Sequence, residues 1–194
     1  MNAILLAGGE SSRFGTNKAL AKLGGQRLIE RISRILKKNF DKVYVVVNNK
    51  KDYSFLEGVE LVKDIIPYQG PLGGLYTGLN YSSAQYNFLL ACDMPCINGA
   101  YLKFLQEQKR DYDLLISQLG DCLEPLAAVY SKNCLPAIKK RLEMKDLKLT
   151  NFFSEVKVKT INEEELKKIV NPEYLFYNVN YQADLEQLVA EFKS

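Results

Sequence analysis

The fourteen residues Leu5-Leu6-Ala7-Gly8-Gly9-Glu10-Ser11-Ser12-Arg13-Phe14-Gly15-Thr16-Asn17-Lys18 join a short apolar run to three glycines and two cations. Residues of these types in this order suit one chemistry, the gripping of a nucleotide's phosphates. Ala3-Ile4-Leu5-Leu6-Ala7 is short enough for a strand covered on both faces. Gly8-Gly9 lets the backbone turn sharply and bring its N–H groups close to an anion. Arg13 offers a bidentate fork for phosphate oxygens and Lys18 a flexible point charge that can neutralise charge building up on them. The glycines fit neither G-x-G-x-x-G nor G-x-x-x-x-G-K-[ST], so this is a different loop from those two. A glycine-rich turn can also be a plain strand-to-helix connection, and either cation a surface charge. The basic pair and the full spacing favour the phosphate reading.

Asp93 is the second chemical candidate. It follows the apolar run Phe88-Leu89-Leu90-Ala91-Cys92 and precedes Met94-Pro95, which brings its carboxylate to the rim of a sheet. There it either caps a loop or holds a cation, and Mg2+ needs only one or two protein carboxylates beside phosphates and water. The chain has no histidine, which removes the commonest general base and zinc ligand together and excludes Ser-His-Asp and H-E-x-x-H chemistry. Chemistry must then rest on carboxylates, lysine, arginine, backbone dipoles and a hard metal ion. Cys92, Cys96, Cys122 and Cys134 make no C-x-x-C pair and read as structural.

Strand-like and helix-like segments alternate, which predicts an α/β layer architecture with a mostly parallel sheet. Strands are expected at about 2–7, 43–47, 59–62, 88–92, 113–118, 126–130 and 156–161. Leu28, Ile29, Ile32, Ile35 and Leu36 repeat at helical spacing, predicting a helix over 26–38. Further helices are expected after 74 and at 99–109, 133–143, 163–170 and 184–192, while 145–154 carries no clear pattern. Ligands of open α/β sheets bind beyond the C-terminal strand ends where the strand order reverses. Here those ends are Gly8, Asn48, Asp64 and Asp93, which can converge on one crevice.

A chain of 194 residues with 47% hydrophobic content is expected to form a single domain over 1–194. Residues 1–42 hold nine Lys and Arg against three Asp and Glu, although the net charge is only +3. Arg27, Arg31, Arg34, Lys37 and Lys38 read as the solvated face of one helix. No basic patch is large enough for a nucleic-acid surface, no apolar run is long enough for a membrane span, and no signal-like segment opens the chain. With its sparse cysteines the chain is expected in the reduced cytoplasm.

The spelling L-A-G-G-x-S-x-R-[MF]-G-x-[DN]-K resembles the signature of the molybdenum cofactor guanylyltransferases, a MobA-like nucleotidyltransferase family. Gly70-Pro71-Leu72-Gly73-Gly74, Leu89-Leu90-Ala91-Cys92-Asp93-Met94-Pro95 and the closing Tyr177-Asn178-Val179-Asn180 agree in order and spacing, so the resemblance covers residues 2 to about 190. It implies the Rossmann-like nucleotidyltransferase fold, with helices on both faces of the sheet. It implies catalytic roles for Lys18, Arg13 and Asp93, with Asp93 the Mg2+ ligand. It implies nucleotide contacts from Leu6, Ala7, Gly8, Gly9, Arg13, Lys18, Asn48, Asp64 and Asp93. It implies acceptor contacts from Gly73, Gly74, Glu124, Asn178 and Asn180, with 70–74 read as a loop leading into a helix.

Two positions depart from the family pattern: Asn17 stands where aspartate is usual, and Glu124-Pro125-Leu126 stands where some members have His-Pro-Thr. Ala7-Gly8-Gly9 leans toward guanine, because cytidine-using relatives tend to spell this step Ala-Ala-Gly. The implied reaction is transfer of GMP from GTP to the terminal phosphate of molybdenum-molybdopterin with release of pyrophosphate, and molybdenum-insertion and molybdoenzyme-maturation proteins are candidate partners. Cytidylyl or sugar-phosphate transfer on the same fold, and a non-catalytic cofactor-delivery protein, are the alternatives.

Overall fold

The computed structural model describes residues 1–8 and 17–191. In chain order its elements are β1 (Asn2–Leu6), β2 (Lys22–Leu23), β3 (Gln26–Arg27), α1 (Leu28–Asn39), β4 (Val43–Val47), β5 (Glu60–Lys63), α2 (Gly70–Tyr81), β6 (Tyr86–Ala91), α3 (Gly99–Glu107) and β7 (Leu114–Leu119). They are followed by β8 (Cys122–Leu123), β9 (Ala127–Ser131), α4 (Leu135–Glu143), β10 (Val158–Ile161), α5 (Glu163–Lys167), α6 (Pro172–Leu175) and α7 (Gln182–Glu191). The sheet runs β10-β7-β9-β6-β1-β4-β5, with β8 paired to the end of β7, and β2 and β3 form a separate two-stranded hairpin.

β1 pairs in parallel with β4 on one side and β6 on the other, and β4 pairs in parallel with β5. The chain therefore steps outward from β1 through α1 to β4 and β5, then returns through α2 to β6 on the far side of β1. Right-handed crossovers running in opposite directions put their helices on opposite faces. Ala3, Leu5 and Ala7 accordingly pack with Ile29, Ile32, Leu36, Tyr101 and Leu105 of α1 and α3. Ile4 packs on the other face with Leu72, Leu75 and Leu79 of α2 and Ile138 of α4. This is the period-two alternation of a strand buried on both sides.

The strand interrupting the parallel order is β9, antiparallel to both β6 and β7. Three short elements lacked a readable pattern: the β2–β3 hairpin, β8 and α6. The uncertain stretch at 145–154 is largely a 3-10 helix over Leu149–Glu155. The largest correction concerns 70–74. Its expected loop is the first turn of α2, which begins at Gly70 with Pro71 in the first turn. Gly73 and Gly74 are buried within it, and the Gly73 N–H already donates to the Gln69 carbonyl at 3.2 Å. Glycine is needed here for close approach. A Cβ on Gly74 would lie 2.8 Å from Leu6 Cδ2, and one on Gly78 would overlap the side chain of Ile4.

The polar face assigned to α1 is also more engaged than its spacing suggests. Arg31 Nε donates to the Pro95 carbonyl at 3.3 Å, Lys37 Nζ to the Glu57 carbonyl at 2.8 Å, and the Arg27 guanidinium lies 4.2 Å from the centre of the Phe55 ring. Among the described residues no helix is long and apolar enough to cross a membrane, and the four cysteines form no disulfide.

Candidate functional site

Because β5, β4, β1 and β6 are adjacent and parallel, the residues just beyond their C-terminal ends stand in a row along one rim: Asp64, Asn48, Gly8 and Asp93. The strand order reverses between β1 and β6, so Gly8 and Asp93 flank the reversal point, where such sheets form their binding crevice. Gly9 and Arg13 lie outside the described residues.

At the reversal point Lys18 Nζ donates to Asp93 Oδ2 at 3.0 Å and to Asn180 Oδ1 at 3.1 Å. Three segments far apart in sequence thus meet at one ammonium group. Asp93 is fixed from behind, since its carbonyl accepts the Val179 N–H at 2.8 Å. Its second carboxylate oxygen, Oδ1, is buried and accepts no hydrogen bond from the described residues. A buried anionic oxygen left unsatisfied is costly, and a hard oxygen donor is what a divalent cation such as Mg2+ takes. The donor set at Asp93 therefore fits a metal ion. Among the described residues no three His, Cys, Asp or Glu side chains gather as a metal cluster, so a cation here would complete its shell with phosphate oxygens and water. The neighbouring Cys92 is partly covered, and burial pushes its thiol up to about 12, with the Asp93 charge adding to the effect, so it stays protonated at neutral pH.

The part of the rim formed by β1, β4 and β5 is built from carbonyls and amides already held in place. The Leu6 carbonyl accepts from the Cys92 N–H at 3.1 Å, the Ala7 carbonyl from Tyr53 Oη at 2.7 Å, and the Gly8 carbonyl from Asn48 Nδ2 at 2.6 Å. Each keeps a second lone pair. Asn48 is exposed, and with its amide nitrogen committed to Gly8 its oxygen is left as an acceptor. A Cβ on Gly8 would sit 3.1 Å from that oxygen. Asp64 is oriented by Thr77, whose hydroxyl donates to Asp64 Oδ1 at 2.5 Å while accepting the Ile65 N–H at 3.0 Å. Asn17 Oδ1 accepts the Ala19 N–H at 3.2 Å, capping the 3-10 turn that carries Lys18.

On the other flank, Leu126 of the Glu124-Pro125-Leu126 segment accepts the Ala91 N–H at 3.1 Å, which holds the segment against the end of β6. Glu124 is half-buried there and burial pushes its carboxyl up. Burial also raises the nearby Tyr101 hydroxyl, with the Glu124 charge adding to the effect; that hydroxyl bonds Ser117 Oγ at 2.9 Å and donates to the Ala127 carbonyl at 2.8 Å. Asn178 and Asn180 are exposed on the segment before α7. The Asn180 N–H is taken by Asp184 Oδ2 at 2.5 Å, so Asp184 gathers the backbone at this helix start while the Asn180 side chain faces Lys18. Gly73 and Gly74 are covered by their own helix and contribute small size, not an open loop.

The structure thus brings Lys18, Asp93 and Asn180 into direct contact and sets Gly8, Asn48 and Asp64 along the same rim. Tyr53 and Thr77, which hold the strand ends and Asp64, carried no sequence signal. An isolated tyrosine and a threonine inside a glycine-rich helix are unremarkable until the fold places them.

Residues 3–158 match the family model described as the MobA-like NTP transferase domain. The chain is 35% identical over 192 residues to a probable molybdenum cofactor guanylyltransferase of Carboxydothermus hydrogenoformans, covering 99% of this chain and 96% of that one. It is 33% identical over 196 residues to the molybdenum cofactor guanylyltransferase of Desulfosudis oleivorans, covering 100% and 96%. The crystal structure of molybdopterin-guanine dinucleotide biosynthesis protein A from Archaeoglobus fulgidus superposes with a TM-score of 0.86 at 23% identity, over 100% of this chain and 99% of that one. That likeness shows the fold. With a family model spanning most of the chain and relatives matched from end to end, this protein belongs to the MobA-like NTP transferases.

Proposed function

We propose that the protein, acting as one domain over its whole length, transfers GMP from GTP to the terminal phosphate of molybdenum-molybdopterin, forming molybdopterin guanine dinucleotide and pyrophosphate in the cytoplasm. The observation that carries this reading is the meeting of Lys18 with Asp93 at the reversal point, with Asp93 Oδ1 buried and unsatisfied. The end-to-end likeness to relatives bearing that name supports the choice of substrates.

In the reaction a terminal phosphate oxygen of the acceptor attacks the α-phosphorus of GTP. The new P–O bond forms as the bond to the pyrophosphate oxygen breaks, and pyrophosphate leaves with the electron pair. A phosphate is ionised near neutral pH, so no strong base is needed, which suits a chain without histidine. The protein's share is positioning and charge neutralisation. Mg2+, when bound, supplies Lewis-acid neutralisation at the reacting phosphates, and Asp93 is the residue that would hold it. Lys18 exchanges its bond to Asp93 for the triphosphate, trading one anion for another within reach of the same turn. Arg13 and the Gly8-Gly9 backbone take the remaining phosphate oxygens.

Asn48 Oδ1 and the free oxygen of Asp64 are acceptors, matched to the N1–H and N2–H donors of guanine or to a ribose hydroxyl. Leu6, Ala7 and Gly8 meet the nucleotide through their carbonyls. Glu124, Asn178 and Asn180 face the acceptor, and Gly74 lets α2 close against the end of β1, while Gly73 leaves room for Gln69 and the Ile66 carbonyl.

The test is titration with GTP, CTP, UTP and ATP in Mg2+, followed by pyrophosphate release with molybdenum-molybdopterin. GTP is expected to bind preferentially, chelation of Mg2+ to stop turnover, and Asp93→Ala and Lys18→Ala each to lower turnover by about a hundredfold or more. Preference for CTP or UTP, or binding without pyrophosphate release, would overturn the proposal.

A further inference from the structure

Tyr53 sits outside the catalytic contacts, yet its hydroxyl touches both chain segments that flank the glycine-rich run. It donates to the Ala7 carbonyl at 2.7 Å and accepts from Asn17 Nδ2 at 2.8 Å. These partners lie 46 and 36 residues away in sequence. The direction of the second bond is fixed independently, because Asn17 Oδ1 accepts the Ala19 N–H and so turns the amide nitrogen toward Tyr53. Tyr53 itself is 3% exposed. It is carried on the 3-10 turn Lys50–Tyr53, whose start is capped by Asn49.

We infer that Tyr53 is a positioning residue for the nucleotide: its hydroxyl holds residue 7, where β1 gives way to the glycines, at a fixed distance from residue 17, immediately before Lys18. This rests on the nucleotide-binding reading of the same rim and adds to it the group that sets its span. The physical case is one of counting protons. A phenol has one, and here it goes to the Ala7 carbonyl, so the partner at 17 has to donate. Asparagine can donate, and it still caps the Lys18 turn with its oxygen. A carboxylate at 17 can cap the turn equally well but competes with Ala7 for the single phenolic proton. Burial raises the Tyr53 hydroxyl above its ordinary value, so the proton stays on the ring through the physiological range. A phenylalanine would fill the same space and leave the Ala7 carbonyl and the Asn17 amide without this partner.

Tyr53→Phe, Asn17→Asp and the double variant, made in the full chain, separate this role from simple packing. Each would be titrated with GTP in Mg2+ well below its melting temperature and unfolded by heat. Tyr53→Phe is expected to weaken GTP binding by about tenfold, the scale of one well-placed hydrogen bond. Asn17→Asp is expected to weaken it by a similar factor alone and by much less in the Tyr53→Phe background, since the bond it disturbs is already gone. A lowered melting temperature with GTP affinity within twofold of wild type, or fully additive effects, would overturn the inference. Should Tyr53→Phe fail to fold, Asn17→Asp at its exposed position decides the matter by the same affinity ratio. A wild-type protein that binds CTP in place of GTP overturns the guanylyl reading alone, and the ratios are then read on CTP. A wild-type protein that binds no nucleotide overturns both.

Discussion

A half-buried carboxylate with no ion-pair partner among the described residues is an expensive residue, and Glu124 is one. Burial raises its carboxyl above the ordinary 4.5, so the folded protein holds this proton more tightly than the unfolded chain does. The group's contribution to stability is therefore fully present below about pH 4.5 and lost as pH rises through the folded value. Glu124→Gln is expected to be more stable than wild type at pH 7, with the difference closing as the pH falls to about 4.5. Thermal unfolding across pH 4 to 8 checks this. If Glu124 faces the acceptor, the same substitution raises KM for molybdenum-molybdopterin and leaves GTP affinity unchanged. A stability difference that grew on acidification would mean that the carboxylate has a stabilising partner. At this scale the sequence was readable where a side chain's chemistry is unusual for its setting. Lys18 after a glycine-rich run and Asp93 after five apolar residues stand out, and they meet at 3.0 Å. Tyr53 and Thr77 were not readable, because what matters about them is a partner many residues away, and one sequence shows no pairings.

Among the elements, periodicity located the long ones and missed those too short to have a period. α1, β4 and β6 fall within a few residues of their expected bounds, while the two-residue strands β2, β3 and β8 have no alternation to detect. The antiparallel course of β9 was likewise hidden, since a buried strand looks the same in either direction. The 70–74 stretch misled because glycine and proline are loop residues in most settings. Here they serve a helix pressed onto a strand. That explanation is testable at Gly78, where any Cβ overlaps Ile4. Gly78→Ala is expected to destabilise the fold by about 1–3 kcal/mol despite alanine's better helix propensity. Adding Ile4→Val, which removes a methyl group from the contact, should recover part of that loss even though Ile4→Val alone is destabilising. Urea unfolding of the two single variants and the double gives the coupling. A neutral Gly78→Ala would show that the glycine is there for some reason other than close packing.

Across the whole molecule the site is closed by the two ends of the chain. Lys18 comes from the N-terminal part, Asp93 from the middle and Asn180 from the segment before the last helix. That last segment is anchored by Val179, fully buried with Leu23 and Leu28 near the N-terminal end, Cys96 beside the Asp93 turn, and Leu185 and Leu188 of α7. The small cluster lies apart from the two large cores flanking the sheet, so it can loosen without unfolding them. Its position also gives the Asp93 carbonyl its partner, the Val179 N–H. Val179→Ala removes two buried methyl groups and should cost about 2 kcal/mol. For a chain of this size that lowers the melting temperature by roughly 4–8 °C. Because the loss falls on the wall that backs Asp93 and presents Asn180, turnover should fall by more than the few-fold change that a remote core variant of similar stability cost, such as Leu142→Ala, produces. Comparing variants matched in melting temperature but located in different clusters makes the distinction. Equal turnover in all of them would place Val179 among ordinary core residues and leave the chain's last segment as a cover over the site, with no part in setting its geometry.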